Sequence, residues 1–224
     1  MRDGNTEGKV EVYDALASVV KALGHGKRLE LIELLAQGEH SVEALARLSD
    51  TALTTISAHL QTLKHAGLVK TRRERTTIHY SLSGDDVAQM YIAAKRVGLL
   101  RSPLLRDALH GYLAGAEPDT LGGGPTIDSS AVTSEMTVID VRPVHEYQTA
   151  HFPGAVSIPL PELPERYLEI PDDVTVVVYC RGEFCRLARE ASQWLRDHGI
   201  DAKAMDEGVI EWRSSKAVNL DVSA

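Results

Sequence analysis

Val176-Val-Val-Tyr-Cys180-Arg-Gly-Glu-Phe-Cys185-Arg-Leu-Ala-Arg189 constrains this chain more than any other stretch. Val176 to Tyr179 reads as a strand buried on both faces, the Gly-containing turn as a tight loop, and the residues to about His198 as an amphipathic helix. Strand, loop and helix in that order belong to an open α/β sheet, which carries its chemistry at the carboxyl ends of its strands. Both cysteines of the chain, Cys180 and Cys185, fall in this loop. The N–H groups of such a loop and the helix dipole favour an anion, and Arg181 and Arg186 add positive charge. These effects favour thiolate over thiol, so Cys180 is expected to have a depressed pKa and to act as the nucleophile. Two small buried hydrophobes are the plainer reading, but cysteines confined to one Arg-flanked turn make poor core filler.

Asp140-Val-Arg142-Pro-x-x-Glu146-Tyr147, then His151-Phe-Pro-Gly154-Ala155 and Ile158-Pro159, resembles the first signature of the rhodanese family. The Val-Tyr-Cys180-Arg loop and Gly208-Val-Ile-Glu-Trp212 resemble the remaining signatures, in the right order and spacing. The resemblance covers roughly residues 126 to 220 and implies a sulfurtransferase-like fold in which a loop cysteine carries a persulfide. It places Cys180 and Cys185 with Arg181 and Arg186 at the reactive centre, inside a loop completed by Gly182, Glu183 and Phe184. The loop departs from the usual Cys-Arg-x-Gly-x-Arg/Ser-Ser pattern: Gly182 comes one residue early, and Cys185 stands where Arg, Ser or Thr is usual. Asp140, Arg142, Glu146 and His151 are read as bracing, through an Arg–Glu pair and a buried Asp, and Trp212 as a core plug.

At 224 residues the chain has room for one large domain or two of about 100 residues, either able to bury a core. No apolar run approaches the ~18 residues a membrane span needs, and the N-terminal residues lack an apolar signal core. The expected location is therefore cytoplasmic, where two cysteines read as reactive rather than as a structural disulfide. The net charge of −8 is unevenly placed: residues 1–112 hold 15 Lys+Arg against 13 Asp+Glu, and the remainder 9 against 19. A local basic cluster of Lys64, Lys70, Arg72, Arg73 and Arg75 inside an acidic chain can meet phosphate.

Apolar residues at helical spacing predict helices over residues 10–23, around Leu29–Leu35, from Ser41 to Leu48, and from Leu53 to about Leu63. Two strands, Leu68–Arg73 and Thr77–Leu82, follow around an Arg-rich turn. A fifth helix runs from near Asp85 to about Leu100, and Pro103 opens a sixth. A helix-turn-helix followed by such a wing can set its second helix in the major groove. Leu31–Leu35, Ser41–Leu45, the stretch from Thr54 to Val69 and the hairpin ending His79-Tyr80-Ser-Leu82 resemble the ArsR-type winged-helix repressors. That resemblance covers roughly residues 10–100 and implies a homodimer, joined through its first and last helices, on an imperfect palindromic operator in double-stranded DNA. Thr54, Thr55, Ser57, His59 and Gln61 are the candidate base-reading positions. Lys64, Lys70, Arg72, Arg73 and Arg75 are the candidate phosphate contacts, with Arg75 at the wing tip. The third helix has no cysteine and the fifth no histidine after Asp85 and Asp86, so neither a metal nor another cofactor is expected.

The expected architecture is two domains, a mainly α winged helix-turn-helix followed by an α/β rhodanese-like parallel sheet. The boundaries read as 1–112, a Gly- and Pro-rich linker over 113–126, and 127–224. The favoured function is a transcriptional regulator that reads reactive sulfur species or redox state through a persulfide on the rhodanese-like half, with a sulfane-sulfur donor as its small-molecule partner. Two enzymatic alternatives stand beside it. One is a thiosulfate or persulfide sulfurtransferase. The other is an arsenate reductase or phosphatase-like enzyme in which the arginine of Cys180-x5-Arg186 grips an oxyanion.

Overall fold

Packing around the Val176–Tyr179 strand organises the C-terminal part of the chain. The structure, a computed structural model, describes residues 3–114, 124–171 and 173–223, with the side chains of residues 3–7 left aside. It divides into two units, residues 1–91 and 92–224. Most of the linker expected at 113–126 lies outside the described residues.

In the first unit, α1 (Asp3–Lys21), α2 (Gly26–Leu35), α3 (Val42–Leu48) and α4 (Leu53–His65) precede a hairpin of β2 (Val69–Glu74) and β3 (Thr77–Leu82). Ser41 begins α3 as its sequence position predicts, its hydroxyl accepting a hydrogen bond from the Ala44 N–H at 3.2 Å. Ile56, Leu60 and Leu63 form one fully buried stripe on α4, and Leu31, Ile32, Leu35 and Leu45 of the neighbouring helices α2 and α3 are buried as well. That leaves the opposite side of α4 to solvent. A two-residue strand missed by periodicity, β1 (His40–Ser41), pairs antiparallel with β3 and ties the start of α3 to the wing. Arg75 takes φ +54° at the hairpin turn, a left-handed conformation a non-glycine residue adopts in such a turn. The fifth helix, α5 (Asp85–Arg101), begins in the first unit and ends in the second, followed by α6 (Pro103–Ala114).

The second unit holds β4 (Thr126–Ile127), β5 (Thr137–Asp140), α7 (Val144–Thr149), β6 (Val156–Ser157), α8 (Leu163–Arg166), β7 (Val176–Tyr179), α9 (Leu187–Asp197), β8 (Ala202–Met205) and α10 (Val209–Ser215). Its strands form a parallel sheet in the order β4-β8-β7-β5-β6, with β7 at the centre. Side chains alternate along β7 as pleating requires. Val176 and Val178 enter a core with Ala188, Ala191 and Leu195 of α9. Val177 and Tyr179 face the other way, onto Val209 and Trp212 of α10. Trp212 is buried, packs edge-on against Tyr179 and Phe152, and donates its indole N–H to Glu207 Oε2 at 3.0 Å. Pro143 stands at the N-cap of α7, one residue before the helix. Among the described residues no helix is long and apolar enough to cross a membrane.

Candidate functional site

The cysteine loop leaves the carboxyl end of β7 and turns at Gly182, whose carbonyl accepts from the Cys185 N–H at 2.9 Å. A Cβ at Gly182 would lie 2.6 Å from Glu211 Oε2, and one at Gly208 would collide with the Cys180 carbonyl, so α10 begins directly against the loop backbone. Gly208 donates its N–H to Glu211 Oε2 at 2.9 Å, which fixes that carboxylate beneath the loop.

Asp140, Arg142 and Glu146 lie in two ion pairs, and His151 lies in neither. Asp140, at the end of β5, accepts from the Arg142 backbone N–H (2.9 Å) and side chain (Nη2 to Oδ2, 2.6 Å), and from the Tyr179 hydroxyl (2.6 Å). Arg142 also donates to the Ala150 carbonyl at 2.7 Å. Glu146, buried on α7, receives Arg181 of the cysteine loop, with Nη2 to Oε1 at 2.6 Å. His151 stacks on Tyr147 and places Nδ1 2.8 Å from the Tyr147 carbonyl, while its backbone bridges to Asp221. Of these side chains, Glu146 meets the cysteine loop directly, through Arg181.

The charge state expected at Cys180 is corrected by its surroundings. Cys180 is buried, and its Sγ lies 3.4 Å from the Cys185 carbonyl oxygen, to which the thiol donates. Burial pushes this thiol well up, and the neighbouring Cys185 pushes it further, although the N–H groups of Ala188 and Gly182 oppose both. Cys185 is half-buried and held below its ordinary value, first by a hydrogen bond from Cys180 and then by the Arg181 charge and the N–H groups of Arg181 and Leu187. The expected loop dipoles are therefore present, but desolvation outweighs them at Cys180. Of the two thiols, Cys185 is the one whose surroundings favour the thiolate.

A consequence is measurable in the thiol chemistry. The alkylation rate of the folded protein should inflect below the ~8.5 of a free cysteine, with brief labelling falling on Cys185 before Cys180. Cys185→Ser should move the inflection above that value, because burial still acts on Cys180. An inflection unmoved by Cys185→Ser would assign the thiolate to Cys180.

Further partners of the loop had no signal in the local sequence. Lys95 of α5 is buried, its side chain only 4% exposed. It bonds to Glu211 Oε1, approaches Glu183 Oε2 at 3.3 Å, and lies 5.0 Å from the centre of the Phe184 ring. Burial raises the Glu211 pKa while Lys95 opposes the rise. Lys95 stands 116 residues from Glu211, so no local pattern marks it. Arg186, at the Cys-x5-Arg spacing, faces Glu190 Oε1 at 3.1 Å and lies over the Tyr112 ring of α6.

In the first unit, Thr54 and Thr55 stand exposed in the first turn of α4, with Ser57 partly so. His59 leans on the His25 ring, with centroids 4.4 Å apart, and desolvation lowers its pKa. Gln61 donates to the Tyr80 hydroxyl at 3.1 Å, tying α4 to the wing. The exposed basic side chains also differ among themselves. Arg72 is held between Glu39 (2.8 Å) and Glu74 (2.9 Å), and Lys64 donates to Thr71 Oγ1 at 3.1 Å. Arg73 bonds the Arg75 carbonyl and so stiffens the wing tip, and Arg75 is exposed.

A model of the rhodanese-like domain matches residues 127–215, and a model of a helix-turn-helix domain matches residues 23–72. The HTH-type transcriptional regulator Rv0324 of Mycobacterium tuberculosis is 40% identical over 216 residues, covering 94% of this chain and 92% of the relative. A biofilm growth-associated repressor of Agrobacterium fabrum is 43% identical over 75 residues, 34% of this chain and 64% of its own length. Among solved structures, the homodimeric winged helix-turn-helix DNA-binding domain of Mb0332 from Mycobacterium bovis, titled a possible ArsR-family regulator, is 44% identical. It covers 43% of this chain and 89% of that one, with a TM-score of 0.40.

Proposed function

Because the chain belongs to the ArsR-type winged-helix transcriptional regulators that carry a C-terminal rhodanese-like domain, we propose that it is a homodimer whose hold on operator DNA is set by sulfur chemistry at Cys180 and Cys185. The observation that carries this reading is the direct bonding of the cysteine loop to α5: Glu183 and Phe184 of the loop, and Glu211 beneath it, all meet the buried Lys95. The same helix enters the first unit, so remodelling of the loop bears on an element shared with the DNA-binding half.

The dimer is supported by an unpartnered apolar stripe. Val10, Tyr13, Leu16 and Val20 of α1 are each more than half exposed at helical spacing, as are Val97 and Leu100 of α5. DNA contact is supported by the exposed Thr54 and Thr55 at the start of α4, and by Lys64, Lys70, Arg73 and Arg75 around the wing.

For the sulfur step, the Cys185 thiolate attacks the outer sulfur of a persulfide RS–SH. An S–S bond forms to Cys185, the donor S–S bond breaks, and RS⁻ leaves with the electron pair. Cys180, once deprotonated, can then attack Cys185 Sγ and displace HS⁻ to close a disulfide. A direct disulfide needs Cα atoms within about 7 Å. If each cysteine first takes up one sulfur, the two persulfides condense to a trisulfide with loss of hydrogen sulfide, and the longer bridge relaxes that limit.

Operator titration of the full chain before and after polysulfide treatment tests the reading, with intact mass recording the sulfur taken up. Affinity should change by about 5- to 150-fold, the usual span of coupling between two sites. Lys95→Met should keep the sulfur uptake and lose most of the change in affinity. Equal affinity of the treated and untreated parent would refute the sensor. A full response in Lys95→Met would refute the route through α5.

A further inference from the structure

Arg181, Arg186, Arg189 and Lys95 around the cysteine loop each already stand in an ion pair. Arg181 is neutralised by the buried Glu146, Arg186 faces Glu190, and Arg189 bonds Asp206. Lys95 is shared by Glu183 and Glu211, two carboxylates for one ammonium. Glu183 keeps 37% of its side chain exposed and so presents negative charge on the loop itself, next to Phe184. A thiolate can persist here through one hydrogen bond, the already paired Arg181 charge and nearby N–H groups, none of which requires a spare cation. A small dianion arriving from water meets a different situation. It must approach a carboxylate with no unpaired guanidinium or ammonium in this set to receive it, and like charges brought together oppose association.

Resting on the reading that these cysteines take up sulfane sulfur, we infer that the loop selects its donor by charge: Glu183 turns away dianions such as thiosulfate and admits neutral or singly charged donors bearing an apolar group. Phe184 and the Tyr112 ring over Arg186 offer aromatic surface to that group. The chemistry is the same for all these donors. With methanethiosulfonate anion, the cysteine thiolate attacks the terminal sulfur, the S–S bond to the sulfonyl group breaks, and methanesulfinate leaves with the electron pair. With thiosulfate the leaving group is sulfite. The first donor carries a methyl group where the second carries an oxide, and therefore one charge less.

The test follows sulfur addition to the full-length protein by intact mass, with methanethiosulfonate anion, an alkyl hydropersulfide and thiosulfate as parallel donors at several ionic strengths. Thiosulfate should be the slowest, and added salt should speed it, because screening weakens repulsion over the ~10 Å Debye length at 0.1 M. Glu183→Gln should lower the preference for methanethiosulfonate over thiosulfate by about tenfold, equivalent to about 1.4 kcal/mol. Thiosulfate reacting as fast as the other donors, or slowing as salt is added, overturns charge selection and leaves the sulfur-uptake reading standing. A protein that gains sulfur from none of the donors overturns both. An unchanged preference in Glu183→Gln removes Glu183 as the selecting residue.

Discussion

Replacing Asp140 by alanine should cost the second unit about 3–5 kcal/mol, because it strands a buried guanidinium. Arg142 has no exposed side-chain surface, and Asp140 receives both its backbone N–H and its Nε and Nη2 donors. The Tyr179 hydroxyl, which donates to the same carboxylate, would lose its acceptor as well. Removing one partner leaves the charge of the other desolvated, whereas exchanging both for apolar residues of similar volume is far milder. Asp140→Leu combined with Arg142→Met should therefore be much less destabilised than Asp140→Ala alone. Both tryptophans, Trp194 and Trp212, belong to the second unit, so urea unfolding followed by tryptophan fluorescence reports on that unit. If Asp140→Ala unfolds within about 1 kcal/mol of the parent, Arg142 must already be charge-compensated by other groups, and the pair would not be the brace assigned to it.

The contrast between what was legible in the sequence and what was not follows from the range of the interactions. Val176–Tyr179, its loop and α9 could be read directly because an apolar run, a glycine and an amphipathic period are local signals. The same holds for α4 and the wing, where Ile56, Leu60 and Leu63 fix one face and Arg75 marks the turn. β1 and β4 are only two residues long, below any period, and exist because β3 and β8 offer them an edge. The Cys180 environment was misread for a related reason. Loop dipoles and neighbouring arginines are visible in sequence, but the burial that overrides them is supplied by α9 and by α10 packed on the loop through Gly208. Charge partners were hidden in the same way. Arg72 stands in the basic cluster as a free phosphate ligand until Glu39, 33 residues earlier, closes on it. Lys95 carries no local signal, and its partners Glu183 and Glu211 lie far along the chain.

That difference among the basic residues sets the second large effect, the response of DNA binding to salt. If Lys64, Lys70, Arg73 and Arg75 each meet a phosphate in both protomers of a dimer, about eight counterions leave the duplex on binding. The affinity should then fall by about 10⁴ between 50 and 200 mM salt, for operator and unrelated duplex alike. Arg73→Ala and Arg75→Ala each remove a contact from both protomers, so each should flatten the logarithmic salt slope by about 2. Arg72→Ala should flatten it by much less, because Glu39 and Glu74 already neutralise that side chain. Thr55→Ala, on the exposed first turn of α4, should leave the slope alone and weaken discrimination at particular base pairs by about 1–3 kcal/mol. Fluorescence-anisotropy titrations over a salt series, with operator and scrambled duplex side by side, measure the slopes and the specificity separately. Equal slopes for the parent, Arg73→Ala and Arg75→Ala would remove the wing from the phosphate backbone. A slope lost as strongly in Arg72→Ala would mean that its carboxylate partners release it to DNA, making the Glu39–Arg72–Glu74 cluster a charge reserve opened by binding.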